Sequence, residues 1–279
     1  MSAHLNSTQT GQLTRAIAAL GTEDFSARLL AFLHACSQFD SAVMLAYPDD
    51  STLLVVHDEL DTGDRAGFDG PYRNGLYMLS PLYAQSRSGK RGCFHISDIA
   101  PEGFTDSEYY QIYYSANDSI DQVAYLLESA AGTPIALSLE RTSAFRPFSS
   151  KERAALCGLS DLLIALVRQH SWPGMKLHPP AHPDLHSHVQ KVLSLFGSSV
   201  LTPREREVVR LILRGYPSKS VARELDISTQ TEQVHRKNIY QKLRISSHSE
   251  LFTLFFDAIT VTPLADADPL LALVARCNG

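Results

Sequence analysis

Residues 226–246 read "DISTQTEQVHRKNIYQKLRIS", and the reading of this stretch decides what the chain is. Bases, amides and apolar residues recur in it at helical spacing. Ser228 carries a side chain suited to capping a helix N-terminus. Val234, Ile239 and Leu243 are read as falling on one face of that helix, leaving Gln233, Arg236, Lys237 and Gln241 on others. Two readings compete: a solvated amphipathic helix, or one that lies in the major groove of duplex DNA, where residues near its N-terminus reach base edges.

The flanking sequence favours the second reading. Residues 201–258 parse as four short helices. Thr202, Pro203 and Glu205 make a capping box with proline at the first helical position. Val208, Val209, Leu211, Ile212 and Leu213 give that helix its apolar face, and Gly215 ends it. Ser218 is the expected cap of a second helix, in which Val221, Ala222 and Leu225 turn inward. Only "DIS" separates it from the basic third helix, which is the helix-turn-helix pattern. Ser247 and Glu250 are read as a capping box opening a fourth. Charge agrees: residues 198–260 hold 10 Lys and Arg against 7 Asp and Glu, a net of +3, whereas residues 1–197 hold 14 against 21, a net of −7. A chain of net charge −5 would thus meet a polyanion only through this module.

"LTPREREVVRLILRGYPSKSVARELDISTQTEQVHRKNIYQKLRISSHSELF", residues 201–252, resembles the LuxR-type (LuxR/FixJ) DNA-binding domain. The matched positions include the opening Leu-Thr-Pro-Arg-Glu-Arg-Glu, Gly215, Lys219, Ala222, Leu225, Ile227-Ser228, Thr231, His235, Asn238-Ile239, Lys242-Leu243 and Glu250-Leu251. The resemblance implies an all-α four-helix domain that binds an inverted repeat in double-stranded DNA as a homodimer. It also implies base contacts from Gln233, Val234 and Lys237. Lys219, Thr231, His235, Arg236 and Arg244 would contact the DNA backbone or lock the helix. The family usually has Thr-Val-Lys where this chain has Thr231-Glu232-Gln233. Gln pairs bidentately with adenine, whereas Lys prefers guanine, so a different operator is expected. Glu232 could accept from a cytosine amino group, but is expected instead to face solvent near the positive helix N-terminus.

Length, 279 residues, allows two cores. An apolar fraction of 44% with 20% charged residues is that of an ordinary globular protein. No apolar run has membrane-spanning length, and the start "MSAHLNSTQTGQLTRAIAAL" does not resemble an export signal. Cytoplasmic location, no membrane and no cofactor are therefore expected. Cys36, Cys93, Cys157 and Cys277 are scattered and read as reduced thiols. "SWPGMKLHPPAHPDLHSH", residues 171–188, reads as a proline-broken linker rather than a metal site of His178, His182, His186 and His188, so no metal is expected.

Before the linker, helical and β-rich runs alternate. "SAVMLAY" and "TLLVVH" form a hairpin, "DQVAYLL" and "TPIALSLE" a second, and "GCFHI" adds a fifth strand. Ser80-Pro81, Thr105 with Glu108, and Ser149 with Glu152 open helices; "SKERAALCGLSDLLIALVRQH" is read as one closing helix. The expected fold is an α+β sensor domain, a GAF/PAS-like antiparallel sheet flanked by helices, followed by the four-helix module. The boundaries are an N-terminal segment 1–21, sensor 22–170, linker and connecting helix 171–197, DNA-binding domain 198–262 and tail 263–279.

The sensor is large enough to enclose a small molecule, and 9 of the 11 tyrosines precede the linker. Tyr72, Tyr77, Tyr83, Phe94, Tyr109, Tyr113 and Asp121 are the candidate pocket residues, with core packing as the alternative for the tyrosine stripe. Asp121 and Glu140 are further read either as partners for a cationic effector or as edge carboxylates. "YRNGLYMLSPLYAQSRSG" and "DIAPEGFTDSEYYQIYY" resemble the sensor halves of orphan LuxR-type regulators, relatives of acyl-homoserine-lactone receptors. Those receptors use an Asp-Pro pair and pocket tryptophans. Here the pair is Ser80-Pro81 and the single tryptophan is Trp172, so the resemblance implies a small-molecule effector other than an acyl-homoserine lactone. Control by a partner protein alone, or an enzyme using Cys93 or His95, are the competing readings; no nucleophile motif supports the enzyme.

Overall fold

The computed structural model describes residues 5–48, 53–60, 72–73, 75–115, 118–172, 184–261, 267–271 and 273. They fall into two compact units, residues 1–100 with 114–182, and residues 101–113 with 183–279. In chain order the elements begin with α1 (Ser7–Ala18), α2 (Phe25–Cys36), β1 (Ser41–Ala46), β2 (Leu54–Asp58), α3 (Pro81–Arg87), β3 (Gly92–His95) and the single turn α4 (Ile96–Ile99). Next come α5 (Glu108–Tyr113), which belongs to the second unit, then β4 (Ser119–Glu128), β5 (Pro134–Thr142), α6 (Ser150–Cys157) and α7 (Ser160–Gln169). The second unit continues with α8 (Asp184–Leu195), α9 (Pro203–Leu213), α10 (Ser218–Glu224), α11 (Thr229–Leu243) and α12 (His248–Val261).

The first unit is built on a five-stranded sheet in the order β2-β1-β5-β4-β3, antiparallel throughout. Both expected hairpins are present, and β1 joins them by pairing with β5. Val123 faces Leu139, Tyr125 faces Leu137 and Leu127 faces Ile135 across β4 and β5. With Met44 they form a fully buried face packed in one core with Phe25, Leu29 and Leu33 of α2 and Leu163 and Val167 of α7. Each side chain so removed from water contributes roughly 1.5–3 kcal/mol. The opposite face, with Val43, Leu45, Ala124, Leu126, Ala136 and Ser138, is also buried. Burial on both faces explains near-continuous apolar strands in an antiparallel sheet, where one solvated face would give alternation.

Several local expectations change. Before residue 22 the chain forms α1, opened by a capping box between Asn6 and Gln9. The closing helix is two helices: Gly158 N–H donates to Ala154 O at 3.0 Å and Leu159 N–H to Leu156 O at 2.9 Å, and this tightened turn ends α6. The Tyr125 hydroxyl donates to the Leu156 carbonyl at 2.8 Å. Thr105 lies in a 3-10 turn, Phe104–Asp106, and Ser107 Oγ instead accepts from Tyr110 N–H at 3.2 Å. Cys93 of β3 and Cys157 of α6 are joined as a disulfide, against the expectation of reduced thiols. A sequence separation of 64 residues carried no sign of it; the register of an edge strand beside a helix end does. Cys36 stays free, its thiol pushed up to about 11 by burial. Trp172, placed in the linker by its sequence, packs edge-on to Phe25 in the core. The linker from 173 to 183 lies outside the described residues, as do the side chain of His186 and most of the tail.

Arg141 is the largest fully buried side chain of this unit. Its guanidinium donates to Gln38 O at 2.9 Å, Arg146 O at 3.1 Å and Glu152 at 2.8 Å, and stacks 4.0 Å from the Phe148 ring centroid. It ties the end of β5 to the segment before β1 and to α6. Hydrogen bonds from Arg141, then from Ser149, hold the Glu152 carboxyl down to about 2. Because the folded value is depressed, this contribution is complete above the ordinary carboxylate value and is lost as pH falls toward 2. Glu152→Gln should therefore cost about 1.5–3 kcal/mol at neutral pH and flatten the acid limb of stability below pH 4.5. Urea titrations at several pH values measure both, and parallel acid limbs for parent and variant would contradict the assignment.

Candidate nucleic-acid interface

Helix α9 opens on the expected box, in which Thr202 and Glu205 satisfy each other's backbone N–H. Glu205 is only 3% exposed. Its carboxylate accepts from Lys242 Nζ of α11 at 2.7 and 2.9 Å, a link between the first and third helices of the module. Burial pushes this carboxyl up, but Lys242 and Thr202 outweigh that, and its net displacement is downward. Lys242, although basic, is thereby committed to the protein.

Between α10 and α11 the chain turns through Leu225, Asp226, Ile227 and Ser228. Asp226 adopts φ +51°, a left-handed position that Asp tolerates better than most side chains. Ile227 N–H donates to Ala222 O at 2.9 Å and Asp226 N–H to Arg223 O at 3.3 Å, a Schellman closure of α10. Ser228 then caps α11 by accepting from Thr231 N–H at 3.0 Å. This geometry sets the two helices of the motif. Ser218, expected to cap α10, is its first helical residue after Pro217, and its hydroxyl goes instead to Glu232.

Glu232 is fully buried, which corrects the expectation of a solvent-facing side chain. Arg236, one turn on, donates from Nε at 2.9 Å and from Nη2 at 2.5 Å to the same carboxylate oxygen, and Ser218 supplies a further bond from α10. The carboxylate fills a position where the family usually has valine, so it points at α10 rather than at water. The available signal was the spacing of Glu232 and Arg236, an i,i+4 ion pair. Arg236 is itself half-buried, its side chain 12% exposed.

The opposite side of α11 is open. Gln233 and Lys237 are exposed and Val234 is 54% exposed, whereas Ile239 is fully buried and Leu243 half-buried. Val234 therefore parts from the inner face that it could have shared with Ile239 and Leu243. Gln233, Val234 and Lys237, at i, i+1 and i+4, lie on one side of the helix. Lys219, Thr231 and Arg244 are exposed and His235 half-buried. Arg244 ends α11 with φ +56°, with Ile245 N–H donating to Tyr240 O at 3.0 Å. The fourth-helix box is altered: Ser247 Oγ accepts from Glu250 N–H at 3.2 Å, but the Glu250 carboxylate turns to Ser246 N–H at 2.9 Å.

The candidate pocket residues divide between the units. Tyr72, Tyr77 and Tyr83 are buried in the first unit, where Tyr77 and Tyr83 meet edge-on at 5.4 Å and both pack against Tyr47. Burial displaces the Tyr72 hydroxyl well upward, while hydrogen bonds with Tyr47 and Ser80 act the other way. Phe94 is half-buried on β3 opposite Ala124. Tyr109 and Tyr113 lie in the second unit, 6.1 Å apart with rings tilted. Asp121, considered as an edge carboxylate, is buried and accepts from Phe148 N–H at 2.7 Å while bonding His95 at 2.5 Å. Glu140 accepts from Gln122 at 2.7 Å. Among the described residues no His, Cys, Asp and Glu group could hold a metal ion, and no helix is long and apolar enough to cross a membrane.

Short capped helices joined by a left-handed turn, with an exposed amide and cation on the second, define a helix-turn-helix DNA-binding transcription regulator. The chain belongs to the family described as bacterial regulatory proteins, luxR family, whose model matches residues 199–255. It is 34% identical over 170 residues to a putative HTH-type transcriptional regulator of Aeromonas salmonicida, a match covering 59% of this chain and 87% of that protein. It is 46% identical over 50 residues to the nitrate/nitrite response regulator protein NarL of Escherichia coli, only 18% of this chain and 23% of that one. The solved VqsR LBD domain from Pseudomonas aeruginosa is 27% identical, covering 58% of this chain and 95% of that one with a TM-score of 0.48. Homologues and family are transcription regulators, not enzymes.

The two neighbouring cations of α11 should behave differently. Arg236→Ala leaves a buried carboxylate without its charged partner and should destabilise the module by about 3–5 kcal/mol. Lys237→Ala should leave stability within about 0.5 kcal/mol while weakening duplex binding, with the salt slope reduced by about 1 if it neutralises one phosphate. Chemical denaturation and salt-dependent anisotropy separate them; equal stability of the two variants would refute the buried-pair account.

Proposed function

We propose that the chain is a one-component regulator in which a small molecule bound by the first unit controls a homodimeric pair of helix-turn-helix modules. The proposed modules occupy residues 198–262, the sensor 22–170 and the linker with its connecting helix 171–197. In the dimer each α11 enters a major groove of an inverted repeat, and Gln233, Val234 and Lys237 face base edges. Lys219, Thr231, His235 and Arg244 take the backbone, while Arg236 orients the helix through Glu232. The observation that carries this reading is the segregation on α11, with Gln233, Val234 and Lys237 outside and Glu232 and Ile239 inside. The chromosome as target places the protein in the cytoplasm.

The proposed effector site is the sheet face where Tyr72, Tyr77 and Tyr83 gather, a set of rings whose hydroxyls suit a polar small metabolite. An acyl-homoserine lactone fits this poorly. Ser80 stands in place of the receptor aspartate, and its hydroxyl accepts from Leu82 N–H at 3.2 Å and bonds the Tyr72 side chain. Trp172 packs with α2 and α7 on the other face. Binding would shift an existing equilibrium between arrangements of two modules.

Duplexes selected from a randomised pool at fixed salt test the reading. Gln233→Ala should change the preferred base at one position of each half-site, at a cost of about 1–3 kcal/mol to the best sequence. Identical selected sequences and affinities for parent, Gln233→Ala and Lys237→Ala would exclude α11 as the reading helix.

A further inference from the structure

Thirteen residues of the second unit come from the middle of the chain. Their sequence is "PEGFTDSEYYQIY", residues 101–113, with Glu102, Asp106 and Glu108 and no Lys or Arg. They are seated on the helix-turn-helix module by close packing. An added Cβ at Gly215, where φ is +81°, would lie 2.8 Å from the Phe104 ring, and one at Gly103, φ +76°, 3.2 Å from the Pro217 ring. Phe104 is 5% exposed and Tyr109 fully buried. Polar contacts complete the seat: Ser220 Oγ donates to Glu102 O at 2.7 Å, Arg223 to the Glu102 carboxylate at 2.7 Å, and Ser249 Oγ to Glu108 at 2.7 Å.

The seat adjoins the proposed reading surface. A groove of about 260 Å³ has Asp106 and Glu108 on one wall and Ser218, Gln233 and Arg236 on the other. We infer that residues 101–113 are an intrachain competitor for DNA, an acidic strap docked beside α11 that opposes the approach of the phosphate backbone until it is displaced. The magnitudes fit. The strap's three carboxylates equal the net +3 of residues 198–260, so the docked module presents almost no net charge to a polyanion. Duplex DNA carries one phosphate charge per about 1.7 Å of axis, and like charges brought against it raise the free energy of the complex. At its ends the strap continues into residues 100 and 114 of the first unit, so a change there has a covalent route to it.

This inference rests on α11 being the DNA-reading helix, and the experiment separates the two. Full-length parent, the charge variant Glu102→Gln/Asp106→Asn/Glu108→Gln and the unseating variant Phe104→Ala are titrated with a mixed-sequence 30-bp duplex by anisotropy. Lys237→Ala is carried alongside, and thermal unfolding is followed for all. The strap variants should bind about tenfold more tightly at low salt, the gap of the charge variant narrowing as salt screens it. Unchanged or weaker binding by both folded strap variants, with Lys237→Ala still weakened, overturns the strap alone. Binding indifferent to Lys237 and to the strap, or absent from every protein, overturns both.

Discussion

The buried carboxylate of Glu232 sets the geometry of the DNA-binding module. An ionised group taken out of water is stable only where partners replace its hydration. Here Arg236 supplies two hydrogen bonds from the same helix and Ser218 one from α10. Arg236 meets the carboxylate from within α11, and the Ser218 hydroxyl can reach it only if α10 and α11 cross in one arrangement. A valine in this place would have tolerated small slides of one helix over the other. Glu205 with Lys242 repeats the device between α9 and α11. Helix α11 is thus fixed by one ion pair to α9 and one hydrogen bond from α10, in addition to packing of Val208, Val221 and Ile239.

Fixing α11 in this way redistributes its cations. Of Arg236, Lys237 and Lys242, two are bound to buried carboxylates, and Lys237 faces outward. The electrostatic contribution to DNA binding then rests on few side chains. In the proposed complex, base readout by Gln233 and apolar contact by Val234 would carry correspondingly more weight. In the first unit Arg141 plays a comparable part, converging on backbone carbonyls and Glu152 to hold the sheet against α6. Each unit pairs an arginine with a glutamate at a contact between elements: Arg141 of β5 with Glu152 of α6, and Arg236 with the Glu232 that also bonds α10.

Much of this was legible in the sequence, for identifiable reasons. Helix starts at Ser80, Ser149, Thr202 and Ser228 declare themselves because capping is local chemistry: a hydroxyl, sometimes with a proline or a glutamate, at fixed offset. The two hairpins and the helix-turn-helix likewise follow from short-range pattern. What sequence could not place depends on tertiary proximity. Cys93 and Cys157 meet because an edge strand lies beside a helix end. Trp172 follows a helix whose packing carries it back into the core. The Gly158 break comes from a turn that tightens to i→i+3 and exposes a carbonyl to Tyr125. Glu232 departs from its expected place for a different reason: an acid near a helix N-terminus suits solvent and the helix dipole equally well, and burial is decided by which face meets α10.

The grouping of residues 101–113 with the DNA-binding helices also bears on how an acidic chain can bind DNA at all. Electrostatic effects between exposed charges fade beyond a Debye length, roughly 8 Å at physiological ionic strength. Overall charge is then a poor guide, and what a phosphate meets is the charge within about that distance of the reading helix. The −7 of residues 1–197 therefore does not act as one block. Of its acids, Glu102, Asp106 and Glu108 belong to the compact unit that contains α11, and Asp106 and Glu108 share a groove with Gln233 and Arg236. Under the proposed binding mode, local placement of these three carboxylates, rather than the sum over the chain, would set the field that a phosphate meets near Lys237 and Lys219.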